Sequence, residues 1–132
     1  MATTFYLFGS RSSQFEQNKE SQNPLPECPG TPNCVRITRH LEVTPEQSIA
    51  IARQVLNRMN ASDTSFDKQD KNIHSVFQVF LFKDDMDIKV QEAEPGTSYL
   101  HIRSASRTGR SDLGVNRRRV KKFLELFYEE LQ

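Results

Sequence analysis

From residue 73 to residue 106 the chain carries three strand-like runs joined by connections of only a few residues, and that spacing limits the ways it can fold. Ile73 to Phe82 is aromatic and β-branched almost throughout, which is the composition of a buried strand. Lys83-Asp84-Asp85 reads as the turn after it. Met86, Ile88 and Val90 then alternate with Asp87, Lys89 and Gln91. Glu94-Pro95-Gly96-Thr97 is a second turn by its Pro-Gly pair, and Leu100 and Ile102 alternate with Tyr99, His101 and Arg103 up to Ser106. A parallel pair would need a crossover of about a dozen residues or more, so these strands must form an antiparallel meander.

The flanking segments complete the pattern. Ser65 to Asp70 reads as a short polar strand, and Arg36 to Val43 as a half-buried one. Between them lies the clearest helix start in the chain. Thr44 is the N-cap, Pro45 suits the first helical position and Gln47 completes a capping box. Ile49, Ala52, Leu56 and Met59 recur on one face, and Asn60 ends the helix because Asn tolerates the left-handed conformation. Val115, Val120, Phe123, Leu124, Phe127 and Leu131 mark a second amphipathic helix. The predicted fold is therefore α+β: an antiparallel sheet of about five strands, in β-α-β-β-β-β-α order, with two helices packed on one face. The same order admits a helix-grip arrangement, in which the last helix closes a curved sheet.

With 132 residues and 36% hydrophobic content, one domain is expected, spanning 28–132. Residues 1–27 are read as a flexible polar leader, with Phe5 to Phe8 docking back on the domain. No run approaches the roughly 18–20 apolar residues that span a bilayer, and Met1 to Phe8 lacks the flanks of a secretory signal. The cytoplasm is the expected compartment.

A net charge of +1 conceals a local bias, since eight Arg/Lys face one acid, Asp112, between His101 and Lys122. The run from Arg103 to Arg119 places arginines around Gly109 and Gly114 ahead of a helix start, where unpaired N–H groups attract anions. With the second turn centred on Pro95-Gly96, Asp84 and Asp85 fall at the same end of the sheet as Arg107 and Asp112. The expected ligand shell is Arg107, Asp112, Asn116 and Arg117, with Arg103 beside them and Asp84 and Asp85 orienting the arginines. Its ligand is a small anion or an acidic segment of a protein partner. The competing reading is structural: Asp112 as an N-cap, Arg107 as a loop staple to Asp84 or Asp85, and Arg118, Arg119, Lys121 and Lys122 as a solvated helix face. Nucleic acid is disfavoured, because Glu125, Glu129 and Glu130 share the helix and only Tyr99 and His101 offer stacking surfaces.

Cys28 and Cys34 bracket two prolines and a glycine. Three roles stay open: a structural loop, with or without a disulfide; a redox or catalytic thiol pair; and metal ligation. In a cytosolic chain two thiols are expected, and the spacing fits no common zinc module. Asn33 is read as an Asx-type turn. Asp84, Asp85 and Asp87 are read as a solvated turn rather than a cation site. Neither metal nor cofactor is expected.

These residues also carry a resemblance. Cys28, Pro29, Pro32, Asn33, Cys34 and Val35, then Asp84 and Asp85, then Arg103, Ser104, Ser106, Arg107, Gly109, Ser111, Asp112, Gly114, Asn116, Arg117 and Arg119 follow the pattern of the domain of unknown function 1499, a bacterial and plastid family. The chain resembles it over about residues 28–131, departing at Arg36, where members more often carry small hydroxyl residues. The resemblance implies a family without an assigned activity, some of whose members are exported or plastid-targeted. Beside the anion-binding reading stand an enzyme using the Cys28/Cys34 loop and a purely structural interaction module.

Overall fold

In the computed structural model the described residues are 22–30, 32–108 and 112–132; the Phe5 to Phe8 segment lies outside them. Five strands and two helices follow the predicted order: β1 (Cys34–Leu41), α1 (Pro45–Arg58), β2 (Asp63–Asp67), β3 (Asn72–Val79), β4 (Phe82–Glu92), β5 (Ser98–Ser106) and α2 (Val115–Leu131). The sheet order is β1-β5-β4-β3-β2, every pair antiparallel, so β1 reaches past the meander to pair with β5. Ile37, Ile102, Ile88 and Ile73 stand in one row across four strands. Under that face Ala52, Val55 and Leu56 of α1 meet Phe123 and Phe127 of α2, forming the core. No helix among the described residues is long and apolar enough to cross a membrane.

The helix ends form as local chemistry dictates. Thr44 Oγ1 accepts from the Gln47 N–H at 3.1 Å while Gln47 Oε1 accepts from the Thr44 N–H at 2.9 Å, closing the capping box. After α1 the chain turns at Asn60, whose φ is 62°.

β1 and β2 each begin two residues earlier than the sequence reading placed them, and the larger differences lie elsewhere. The turn between β3 and β4 is Phe80-Leu81, not Lys83-Asp84-Asp85, and β4 opens at Phe82. Asp84 and Asp85 are therefore strand residues on opposite faces, and Asp84 continues the core-facing row of Met86, Ile88 and Val90. Against β5, Asp85 pairs with Ala105 and Asp87 with Arg103. Residues 22–27, assigned above to the leader, are held along β1. Asn23 Nδ2 donates to the Ile37 carbonyl at 2.9 Å and to Thr38 Oγ1 at 3.0 Å, while Arg36 reaches the carbonyls of Leu25 and Asn23. These bonds cover groups that an edge strand would otherwise leave open.

Candidate functional site

The C-terminal motif gathers at the start of α2. Gly114, with φ at 81°, turns the chain into the helix without a capping side chain of its own. Asp112 supplies the cap instead: its carboxylate accepts from the N–H groups of Gly114 and Asn116 at 2.8 and 2.9 Å and from Asn116 Nδ2 at 2.8 Å. Burial pushes the Asp112 carboxyl up, but the Asn116 and Gly114 donors outweigh it and hold its pKa below the ordinary value.

Asn116 has no exposed surface and joins four segments. Its Nδ2 also reaches the Asn33 carbonyl at 3.1 Å and Ser106 Oγ at 3.0 Å. Its Oδ1 accepts from Ser104 Oγ at 2.6 Å and Arg119 Nη1 at 2.7 Å. Arg119 passes on to Asp84, where Nη2 lies 2.9 Å from Oδ2, and stacks over the Phe77 ring at 4.7 Å. That contact is an ion pair without hydrogen-bond geometry, and neither Asp84 oxygen has a hydrogen-bond donor among the described residues. The expectation that Arg119 belongs to a solvated face is thus corrected. It is buried because it lies on the same helical stripe as Asn116, Val120, Phe123 and Phe127.

The cysteine loop belongs to the same assembly. Cys28 and Cys34 form a disulfide with Cα atoms 5.7 Å apart, correcting the expectation of two thiols. The bridge borders Asn33, whose carbonyl accepts from Ser106 N–H as well as from Asn116. Its side-chain Nδ2 donates to the Thr108 carbonyl at 2.8 Å, which ties the cysteine loop to the segment just after β5.

Arg107, Asp85 and Arg103 lie on the other side of the sheet. Arg107 grips Asp85 with two bonds of 3.0 Å, and His74 lies 3.3 Å from Asp85 and 2.6 Å from Asp87. Arg103 stands opposite Asp87 and Arg36, with its Nε unbonded among the described residues. The seven predicted ligand residues therefore do not form one shell. Asp84, Asp112 and Asn116 meet in the buried network, Arg107, Asp85 and Arg103 share the open face, and Arg117 points to a third place. No group of His, Cys, Asp and Glu able to hold a metal ion occurs among the described residues.

That third place is a groove of about 380 Å³ between edge strand β1 and α2. Val35, Ile37, Val120, Leu124 and Tyr128 form its apolar floor, and Arg39, Arg117 and Lys121 face one carboxylate, Glu125, around it. Sequence reasoning missed Arg39 and Lys121. The signal was available in the alternation of β1, which puts Arg39 in line with Val35 and Ile37, and in the i, i+4 spacing of Arg117 and Lys121.

The chain matches the family described as "Protein of unknown function (DUF1499)" over residues 24–127. It is similar in structure to a START superfamily protein from Mycobacterium smegmatis, at 9% sequence identity and a TM-score of 0.50, covering 75% of this chain and 99% of that one. It is also similar to an uncharacterised protein from Bacillus thuringiensis, at 12% identity and a TM-score of 0.38, with the same coverage. The first likeness bears on the fold alone. Comparison with curated proteins gives no match.

Proposed function

This chain belongs to the domain of unknown function 1499 family, and we propose that it binds a small amphiphilic anion in the groove between β1 and α2. The observation that carries the reading is Arg117, an exposed cation of the C-terminal motif that borders an apolar floor. Asp112, Asn116 and Arg119 use their polar atoms on one another, so their role is to fix the start of α2 and thereby the position of Arg117. Arg39, Arg117 and Lys121 would hold a carboxylate or phosphate head by charge-assisted bonds. Val35, Ile37 and Leu124 would cover its hydrocarbon part. An acidic segment of a protein partner is the larger version of the same ligand. For the compartment, the disulfide favours an oxidising one, because cytosolic thiols are kept reduced.

The test is a titration of ¹⁵N-labelled protein with octyl phosphate, followed by amide shifts. Shifts should cluster at Val35, Ile37, Val120 and Leu124 and weaken with added salt. The double substitution Arg117→Gln, Lys121→Gln should reduce affinity about tenfold or more. Its unfolding midpoint should stay near that of the parent, since both side chains are exposed. Shifts confined to another surface, or equal affinity in the double variant, would refute the reading.

A further inference from the structure

The end of the sheet nearest the α2 start carries exposed apolar residues that the groove does not use. Phe80 and Leu81 form the β3–β4 turn with 83% and 77% of their surface exposed, and Phe82 follows at 36%. Leu113, just before α2, is 84% exposed. The two features share one end of the molecule. Arg107 N–H bonds the Lys83 carbonyl beside the turn, and Ser106, the last residue of β5, is bonded by Asn116 in the first turn of α2.

Conformation makes these choices harder to explain by folding. Phe80 and Leu113 both hold positive φ, 56° and 55°, where a bulky side chain is strained and Gly or Asn is the ordinary occupant. In this two-residue hairpin Phe80 alone of the central pair holds positive φ, the position that Gly ordinarily fills in a Gly-X turn. At both positions a small polar residue would relieve strain and remove apolar surface from water. The chain keeps large apolar side chains at each.

The surrounding charge selects the partner. Lys83, Arg107 and Arg118 are exposed here, and Arg118 Nη1 bonds the Leu113 carbonyl at 2.9 Å. Among the acids nearby, Asp85 is engaged by Arg107, and Asp84 and Asp112 are buried. Apolar tips within a rim of net positive charge complement an anionic bilayer surface, where side chains enter the interface and cations meet headgroups.

We propose that this end of the molecule docks on anionic phospholipid membranes, with Phe80, Leu81 and Leu113 inserting and Lys83 and Arg118 contacting headgroups. The docking is peripheral and reversible, and it is independent of the groove, whose cations it does not use.

The experiment is cosedimentation of the full chain with vesicles of phosphatidylcholine alone, or with phosphatidylserine added, at low and high salt. The parent should sediment with the phosphatidylserine vesicles and be released by salt. The double substitution Phe80→Gly, Leu81→Ser should weaken partitioning on the order of tenfold or more while leaving the unfolding midpoint equal or higher, since Gly suits the positive φ of position 80. The parent remaining in solution with anionic vesicles would overturn the proposal. So would equal sedimentation of the double variant. Size-exclusion chromatography adds a third adverse outcome: a parent dimer that becomes monomeric on this double substitution would mean that the tips cover a second copy of the chain.

Discussion

Asp84 and Asp85 are neighbours on β4, and each is paired with an arginine of the same C-terminal motif, yet the two pairs differ in kind. Asp84 faces the helices and meets Arg119 with side chains 1% and 7% exposed. Asp85 faces outward and meets Arg107 with side chains 26% and 46% exposed, through two bonds of 3.0 Å. The outer pair has the better hydrogen-bond geometry. The inner pair has the greater consequence, because neither of its charges has water as an alternative partner. Contact geometry alone is therefore a poor guide to what a pair contributes. What matters is the state each charge would be left in if its partner were removed.

The largest effect should come from breaking the inner pair. Asp84→Ala leaves the Arg119 guanidinium buried without its counter-charge and should cost about 3–5 kcal/mol, read as a lower midpoint in denaturant. Replacing both residues, Asp84→Met with Arg119→Met, should recover part of that loss because no charge is then stranded. Full recovery is not expected, since Arg119 also donates to Asn116 and Ser104. A cost for Asp84→Ala of under about 1 kcal/mol, in the range of exposed pairs, would erase the distinction between the two faces.

The same pair marks the border of what was legible in the sequence. Where apolar alternation and side-chain caps agreed, as at Thr44-Pro45-Gln47 and along Met86 to Val90, element type and face could be read directly. Asp84 escaped because a carboxylate at the end of an apolar alternation reads as the turn that stops it. Arg119 escaped because its neighbours Arg117 and Arg118 are solvated, and local composition hid its place on the stripe. Extending the β4 row back from Met86 and the α2 stripe back from Phe123 puts one buried acid and one buried base on facing elements. Period carried that information and residue type obscured it. The groove was less legible still, since Arg39 and Arg117 come together only because β1 returns to pair with β5. The continuous run from Ile73 to Phe82 gave no sign of where the hairpin turns.

A second effect tests whether the open face is uniformly wet. His101 lies on that face but is 1% exposed, with Thr38 Oγ1 2.7 Å from Nδ1 and Gln91 Oε1 2.7 Å from Nε2. Because Gln91 Oε1 can only accept, Nε2 carries the proton and Thr38 donates to Nδ1. Burial, with Arg36 and Lys89 nearby, lowers the pKa of His101 from 6.5 to about 4. The folded state thus keeps His101 neutral in a range where the unfolded chain takes up a proton. Stability should be fully present above pH 6.5 and should decline by about 3 kcal/mol as pH falls towards 4. Asp112 adds a further loss at pH below its ordinary value of 3.8, because its folded carboxylate is stabilised by the Gly114 and Asn116 donors. In a His101→Gln variant the midpoint should change less between pH 7 and pH 5 than in the parent. Identical slopes would show that His101 is already hydrated.

The smallest effect is expected at the outer pair. Arg107→Gln removes a two-point contact but strands no buried charge, because Asp85 can turn to water and still has His74 at 3.3 Å. Asp85 raises the Arg107 pKa through its hydrogen bonds, an attraction that water around these exposed groups screens. The substitution should therefore leave the unfolding midpoint nearly unchanged. The decisive measurement is a double-mutant cycle of Arg107→Gln and Asp85→Asn against Arg119→Met and Asp84→Met, at low and high salt. If burial governs these pairs, the outer coupling is small and fades with salt while the inner one persists. An outer coupling as large and as salt-resistant as the inner would mean that Arg107 is held more tightly than its exposure indicates. The open-face cluster of Arg107, Asp85, His74 and Asp87 would then rank as a second organised centre rather than a surface staple.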